Sequence, residues 1–240
     1  MEKINLDEGF AYGLGVFETM AVVNGQVIFA KQHLQRLRKG LATLGIKEQE
    51  DVKAHFESHD DKCINGVKKV IVSDANIMVN YRENPYTKAD YQQGFKLEIA
   101  KVRRNETSPF TYIKSLNYGD NIVAKRKAKE RGIDEPIFLN SYGELTEGAT
   151  TNIFFCHGDK IYTPPVASGL LPGIMREWIV ENISVEEYKI YFDYIKEFDE
   201  MFISNSVLGI MPIASLGEKM FSSRKNAEML REKYESILNI

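Results

Sequence analysis

The feature that most constrains the fold is an Asn24-Gly25 turn between two apolar runs, followed at once by a helical pattern. Residues 21–23 and 27–29 are apolar, and Asn-Gly between such runs is a strong signal for a β-hairpin. The next leucines recur at spacings of three and four, which places Leu34, Leu37, Leu41 and Leu44 on one helical face. The sequence therefore predicts a strand pair over 9–30 that leads directly into an amphipathic helix.

The rest of the chain mixes strands and helices without a regular β-α-β rhythm. Further helices are predicted over 48–60, over 117–131 with a stop at Gly132, from near Gly173, and over 223–239. Strands are predicted over 67–73, 94–102, 136–140, 152–156, 161–163 and 201–204. This pattern favours an α+β fold over a doubly wound parallel sheet.

Composition narrows the classes of partner. A net charge of −3 provides no broad basic field, which argues against nucleic acid or an anionic membrane and leaves a small-molecule substrate. Cys63 and Cys156 lie far apart, no secretory signal is present, and no apolar run reaches the length of a membrane span. These observations predict a reduced, cytoplasmic protein.

Several common chemistries lack their motifs. The sequence has no Gly-x-Gly-x-x-Gly between a strand and a helix, no phosphate loop with Gly-Lys-Ser or Gly-Lys-Thr, and no Gly-x-Ser-x-Gly elbow. Its four histidines show no metal-site spacing, so no metal is predicted.

Four stretches, in this order, resemble a known enzyme family: 9–19, 33–37, 114–118 and 145–154. Together with 171–176 and 204–212 they look like the class IV aminotransferase family, and most like its aminodeoxychorismate lyases. The resemblance implies a two-domain, fold-type IV architecture that is similar to D-amino acid aminotransferase. We expect a small α/β domain over 1–105, a linker over 106–111 and a larger pseudo-barrel domain over 112–240. Homodimerisation, with pyridoxal 5′-phosphate between the two domains, is implied as well.

The resemblance also assigns residues to the cofactor, which needs a lysine amine, a group near its ring nitrogen and a phosphate anchor. Lys114 is the lysine that holds the cofactor, Glu147 faces the pyridine nitrogen, and Tyr118 lies near the ring oxygen. Phosphate needs positive charge and free backbone N–H groups. The implied phosphate residues are Arg36, Ser206 and the helix start at Gly173, Ile174 and Met175.

The reaction and the substrate residues are less constrained, because lyases and aminotransferases of this family share the cofactor site. Stretches 81–87, 104–105, 114–118 and 204–212 favour a lyase that releases pyruvate from 4-amino-4-deoxychorismate and leaves 4-aminobenzoate, a step of folate biosynthesis. A transaminase for branched-chain or D-amino acids, or a cofactor-free binding protein on the same fold, is the alternative. Tyr12, Arg82 and Arg104 are the candidate substrate residues. Only Met1–Leu6 precede Asp7, which predicts a shortened edge of the N-terminal sheet.

Overall fold

A computed structural model describes residues 4–238, which form two compact units. The first comprises the chain up to Pro85 together with Ile113–Gly119, and the second comprises Tyr86–Tyr112 and Asp120–Ile240. These bounds differ from the division expected at 105 and 112. The strand at Phe95–Arg104 pairs with strands of the second unit, whereas Ser115 pairs with Val16 of the first. Backbone pairing therefore assigns Phe95–Arg104, which precedes the expected linker, to the second unit, and Ser115, which follows it, to the first.

The first unit is a four-stranded antiparallel sheet in the order β2-β1-β3-β4, with one long helix. Its elements are α1 (Glu8–Tyr12), β1 (Gly15–Val23), β2 (Gln26–Val27), α2 (Ala30–Leu44), β3 (Gly66–Ser73) and β4 (Ile77–Arg82). The predicted hairpin is confirmed: Asn24 and Gly25 have φ values of 52° and 77°, the left-handed pair that a tight two-residue hairpin turn requires. Helix α2 buries its leucine stripe against alternate residues of the sheet.

Three features of this unit differ from the expectations. Residues 9–12, expected to belong to the strand pair, lie in helix α1. The helix predicted over 48–60 is wrong, because only a 3₁₀ turn forms there, at Lys53–Phe56. The following residues pair with the hairpin instead: Val27 N–H donates to the Ser58 carbonyl, and Asp60 N–H donates to the Gly25 carbonyl. Strand β4 was not predicted, since its sequence passes from three apolar residues to three polar or exposed ones.

The second unit contains a closed six-stranded barrel. Its elements are α3 (Lys88–Gln93), β5 (Phe95–Arg104), α4 (Gly119–Glu130), β6 (Glu135–Asn140), β7 (Leu145–Gly148), β8 (Asn152–His157), β9 (Lys160–Thr163), α5 (Ile174–Asn182), β10 (Val185–Glu187), β11 (Glu200–Asn205), β12 (Gly209–Leu216), β13 (Lys219–Met220) and α6 (Lys225–Ile237). The order β8-β11-β12-β5-β6-β7 closes because β7 also pairs with β8 at Glu147 and Asn152. Strands β9 and β10 extend the sheet beyond β8, and β13 pairs with β12.

The remaining predicted elements of this unit are confirmed within a few residues, although α3, β7, β10, β12 and β13 were not predicted. Residue 239, the last of the helix predicted over 223–239, lies outside the described residues. Separate sheets and helices, arranged without a doubly wound pattern, confirm the α+β class. Among residues 4–238, no helix is long and apolar enough to cross a bilayer.

Candidate active site

Lys114 lies in the first unit, on a short segment that runs beside the start of β1. Phe17 N–H donates to the Lys114 carbonyl at 2.9 Å, and Leu116 N–H donates to the Gly15 carbonyl at 2.9 Å. Gly15 permits this close approach, since a Cβ there would lie 2.7 Å from Leu116 Cδ1 and 2.8 Å from the Val72 carbonyl oxygen. The backbone of Lys114 is therefore fixed by a sheet edge rather than by a free loop.

The Lys114 amine lies against two aromatic rings of the same unit. Its Nζ is 4.5 Å from the centroid of the Phe17 ring and 5.3 Å from that of Tyr118. The two rings pack edge to face, with centroids 5.1 Å apart. The predicted lysine and the predicted tyrosine are thus brought together, with Phe17 as the residue that supports both.

Arg36 lies on α2 and is held by a carboxylate that sequence reasoning missed. Its Nε donates to Glu18 Oε1 at 2.7 Å, and its Nη2 donates to Glu18 Oε2 at 2.6 Å. His33, one helical turn before Arg36, places its Nδ1 2.6 Å from the same Oε2. Glu18 and His33 are fully buried, whereas the Arg36 side chain remains 13% exposed.

Burial and the contacts within this cluster shift the pKa values of Glu18 and His33. Burial alone would raise the pKa of Glu18, but the charge of Arg36 and the hydrogen bonds from Arg36 and His33 outweigh it and lower that pKa to about 2. The pKa of His33 is lowered chiefly by burial, and the positive charges of Arg36 and Lys114 add to this, while Glu18 opposes it. A neutral His33 with its proton on Nδ1 accounts for the hydrogen bond to Glu18. The cluster therefore presents an oriented cation, Arg36, on a buried anionic support.

Glu147 lies on β7 in the second unit and is held through both of its oxygens. Its Oε2 accepts a hydrogen bond from Leu171 N–H at 3.0 Å, and its Oε1 is 2.9 Å from Arg104 Nε. The Arg104 guanidinium stacks 3.9 Å from the Phe138 ring centroid and donates to Asn121 Oδ1 at 3.0 Å. The structure thus places Arg104 as a partner of Glu147, while a role for Arg104 in substrate binding stays a prediction.

The start of helix α5 is positioned by the same stretch that carries Glu147. Asn152, opposite Glu147 in the β7–β8 pairing, donates from Nδ2 to the Leu171 carbonyl at 2.9 Å. A Cβ at Gly173 would lie 1.9 Å from Asn152 Oδ1, so any side chain at this position would displace the Asn152 amide. The motif over 145–154 therefore fixes both the Glu147 carboxylate and the N-terminus of α5.

This helix start provides donors for an anion. Gly173 precedes α5 in an extended conformation, and within the described part of the chain no side chain caps the helix. The N–H groups of Ile174 and Met175 lie in its first turn, where an α-helix has no internal acceptor and the helix dipole favours negative charge. The chemistry of these donors fits a phosphate group.

Ser206 belongs to a tight turn at the end of β11. Asn205 Oδ1 accepts from the N–H groups of Val207 and Leu208, both at 2.8 Å, and its Nδ2 donates to the Thr150 carbonyl at 3.1 Å. Asn205 thus ties the Ser206 turn to the stretch that carries Glu147. Ser206 itself is half-buried, and its contribution to phosphate binding stays a prediction.

The other two candidate substrate residues are exposed in the first unit. Tyr12 ends helix α1 with 70% of its surface exposed. Arg82 ends β4, and its Nη1 donates to the Glu83 carbonyl at 3.1 Å. A role for Tyr12 and Arg82 in substrate binding stays a prediction.

The residues present in each unit fit a part of pyridoxal phosphate. In the first unit a lysine amine and an aromatic hydroxyl lie together, and an arginine is oriented by buried partners. In the second, a carboxylate with an oriented side chain adjoins a helix start that a side chain at Gly173 would block. Sequence reasoning missed Glu18, Asn152 and Asn205, although all three lie inside or beside the stretches that carry the resemblance. Glu18 could have been found as a charged residue in the phase of β1 that is otherwise apolar: Val16, Met20 and Val22.

A family model and several known proteins are similar to this chain over most of its length. Residues 15–216 match the family model described as amino-transferase class IV. The aminodeoxychorismate lyase of Bacillus subtilis is 28% identical over 243 residues, which cover 91% of this chain and 83% of that protein. A Rickettsia conorii protein named "Probable branched-chain-amino-acid aminotransferase" is 27% identical over 262 residues, which cover 97% and 89%.

A solved structure supports the fold. The crystal structure of 4-amino-4-deoxychorismate lyase from Pseudomonas aeruginosa has a TM-score of 0.86 and 22% identity, and the match covers 100% of this chain and 97% of that one. At this identity the likeness shows the fold alone. The predicted fold-type IV architecture is confirmed.

Proposed function

Because the chain belongs to the class IV aminotransferase family, we propose that it is a lyase that converts 4-amino-4-deoxychorismate to 4-aminobenzoate and pyruvate. The two products together contain all the atoms of the substrate, so no water or oxidant is needed. The 28% identity to the Bacillus subtilis lyase over 91% of the chain supports this choice. The stretches over 114–118 and 204–212 support it as well.

The chain is a pyridoxal-phosphate-dependent enzyme, as its family is. When bound, this cofactor supplies an electron sink for the carbon that carries the substrate amine. We propose that Lys114 binds it, that Glu147 stabilises positive charge at its ring nitrogen, and that Tyr118 donates to its ring oxygen. For the phosphate we propose Arg36, Ser206 and the N–H groups at the start of α5, including those of Ile174 and Met175.

The observation that carries the proposal is the position of the Lys114 amine. Pairing with β1 fixes its backbone, and the rings of Phe17 and Tyr118 lie 4.5 and 5.3 Å from Nζ. In its neutral form Lys114 Nζ can take the proton from the amine-bearing carbon of the substrate, after which the enolpyruvyl group leaves from the neighbouring carbon.

A class IV aminotransferase is the second candidate, favoured by the 27% identity to the Rickettsia conorii protein over 97% of the chain. In that reaction Lys114 Nζ would pass the proton that it removes from the substrate to the cofactor, and no leaving group would depart. One experiment separates the two. The purified, cofactor-loaded protein is incubated with 4-amino-4-deoxychorismate and, separately, with branched-chain and D-amino acids plus 2-oxoglutarate. Release of 4-aminobenzoate supports the lyase, and formation of glutamate with no 4-aminobenzoate contradicts it.

Replacing Lys114 tests the site under either reaction. Lys114→Ala should lower kcat by about 1000-fold, because it removes the group that moves the proton. It should also abolish the visible absorbance that borohydride bleaches in the parent protein. Lys127→Ala, an exposed position on α4, is the matched control. A Lys114→Ala protein with parental turnover would show that another residue holds the cofactor.

Homodimerisation and a cytoplasmic location remain part of the proposal. Both come from the resemblance and the composition. Sedimentation of the purified protein tests the first, and fractionation of cells tests the second.

A further inference from the structure

The sheet of the first unit has a second face, opposite α2, that carries positive charge. Side chains alternate between faces along a strand, and directly paired residues share a face. Thr19 pairs with Lys69, Lys69 pairs with Asn80, and Val67 pairs with Arg82. Lys69 and Arg82 therefore lie on the same face of the sheet, together with Phe17 of β1.

Lys69 shares an aromatic ring with the proposed cofactor lysine. Its Nζ lies 4.5 Å from the centroid of the Phe17 ring, the same distance as the Nζ of Lys114. The two amines can be no farther apart than twice that distance. A second lysine is thus placed within reach of a small molecule whose amine meets Lys114.

Within residues 4–238, Lys69 has no carboxylate at ion-pair distance. None of the residues that alternate onto this face in β1, β3 and β4 is Asp or Glu. The neighbouring Lys68 points to the other face, where its Nζ lies 2.6 Å from the buried Asp60 Oδ2. Adjacent lysines therefore differ: Lys68 has a carboxylate partner, whereas among the described residues Lys69 has the Phe17 ring but no carboxylate.

The free energy of such an arrangement favours an anion. Lys69 is half-buried, and its pKa is lowered chiefly by burial, with a further contribution from the charge of Arg82. A partly desolvated ammonium is costly without an opposite charge. A carboxylate bound at this face would remove that cost for Lys69 and reduce its repulsion with Arg82.

We propose that Lys69, with Arg82 as a second cation, binds a carboxylate of the substrate and so selects for dicarboxylates. The inference rests on the proposed function, whose substrate carries one carboxylate on the ring and another on the enolpyruvyl group. Lys69 is a specificity-determining residue in this view. Lys69 takes no part in moving the proton.

Three variants test it. Lys69→Met keeps an unbranched stem against Phe17 but removes the charge, Lys69→Arg keeps the charge, and Lys31→Met changes an exposed lysine of α2 as the matched control. Lys69→Met should raise KM for 4-amino-4-deoxychorismate about tenfold with kcat little changed, the effect of losing one charge-assisted hydrogen bond. Lys69→Arg should restore most of the loss.

A binding measurement separates this inference from the proposed function. Chorismate carries both carboxylates but a hydroxyl in place of the amine, so its binding to the loaded protein can be measured without turnover. Its Kd and that of 2-oxoglutarate should each rise about tenfold in Lys69→Met and recover in Lys69→Arg. That result supports the inference even if no 4-aminobenzoate forms. If 4-aminobenzoate forms with unchanged KM and Kd in Lys69→Met, or if the parent protein binds neither dicarboxylate, the inference is overturned.

Discussion

Each of the two units contains a buried ion pair with a proposed cofactor residue as one member. That residue is the cation in the first unit and the anion in the second. In the first unit the fully buried partner is the anion Glu18, and the more exposed partner is the cation Arg36. In the second unit the anion Glu147 has the proposed role, and the cation Arg104 supports it. A glutamate is therefore the support in one unit and the functional residue in the other.

The two glutamates also differ in the contacts that hold their carboxylates. Both oxygens of Glu18 are occupied by Arg36 and His33 side chains, so this carboxylate has little freedom to act on anything else. Glu147 meets the Arg104 side chain at one oxygen and the backbone N–H of Leu171 at the other. The difference teaches that residue type does not identify the working group. The contacts that each carboxylate makes have to be known as well.

The largest expected effect comes from neutralising the support in the first unit. Glu18→Gln should lower the free energy of unfolding by about 3 kcal/mol, because it leaves the Arg36 charge beside a buried neutral group. Urea denaturation of the cofactor-free protein measures this, with the exposed Glu50→Gln as control. Cofactor affinity should also fall, since Arg36 loses its orientation. A variant as stable as the parent would contradict the support role of Glu18.

The same carboxylate predicts a pH dependence. The pKa of Glu18 is about 2 in the folded protein, below its ordinary value of 4.5, so its stabilisation is present above pH 4.5 and is lost as pH falls toward 2. Asp7, whose pKa is lowered to about 2 chiefly by the hydrogen bond from Ser73, adds to the loss in both parent and variant. The slope of unfolding free energy between pH 4.5 and 2 should therefore be smaller in Glu18→Gln than in the parent. Equal slopes would remove Glu18 from this account.

The identical substitution in the second unit should act on the reaction instead. Glu147→Gln should lower kcat about 100-fold, because a neutral amide no longer stabilises positive charge at the cofactor ring nitrogen. Steady-state kinetics of the cofactor-loaded protein measure it, and the exposed Glu130→Gln serves as control. If Glu147→Gln retained the parental kcat, the two glutamates would not differ in the way proposed.

This contrast also marks the limit of what the sequence could predict. The leucine stripe of α2 and the Asn24-Gly25 turn are local patterns, and both were predicted correctly. Glu18 meets Arg36 across 18 positions and two different elements, so no local spacing reveals the contact. The motif around Glu147 identified a functional stretch but not the strand β7 that carries it or the support from Arg104. Long-range packing decides which charged residue is buried, and pattern alone does not report it.

A smaller effect is expected from the support in the second unit. Arg104→Met removes a positive charge from Glu147 Oε1 while leaving an unbranched stem against Phe138. We expect kcat to fall about tenfold, equivalent to one pKa unit of lost charge stabilisation. Arg104→Lys, which keeps the charge, should restore part of the lost kcat. If Arg104→Lys lost as much kcat as Arg104→Met, the charge of Arg104 would not be what supports Glu147.

The smallest effect separates burial from charge on a single helix. Arg38 lies two residues beyond Arg36 on α2 and also makes a bidentate pair, with both nitrogens 2.7 Å from Glu48 oxygens, but its side chain is 45% exposed. Arg38→Ala should cost less than about 1 kcal/mol of unfolding free energy, and this cost should shrink further at high salt. Cofactor affinity should not change, whereas Arg36→Ala should weaken it. If Arg38→Ala destabilised the protein as much as Glu18→Gln, then burial would not be what distinguishes the two pairs, and the support role of Glu18 would need another physical cause.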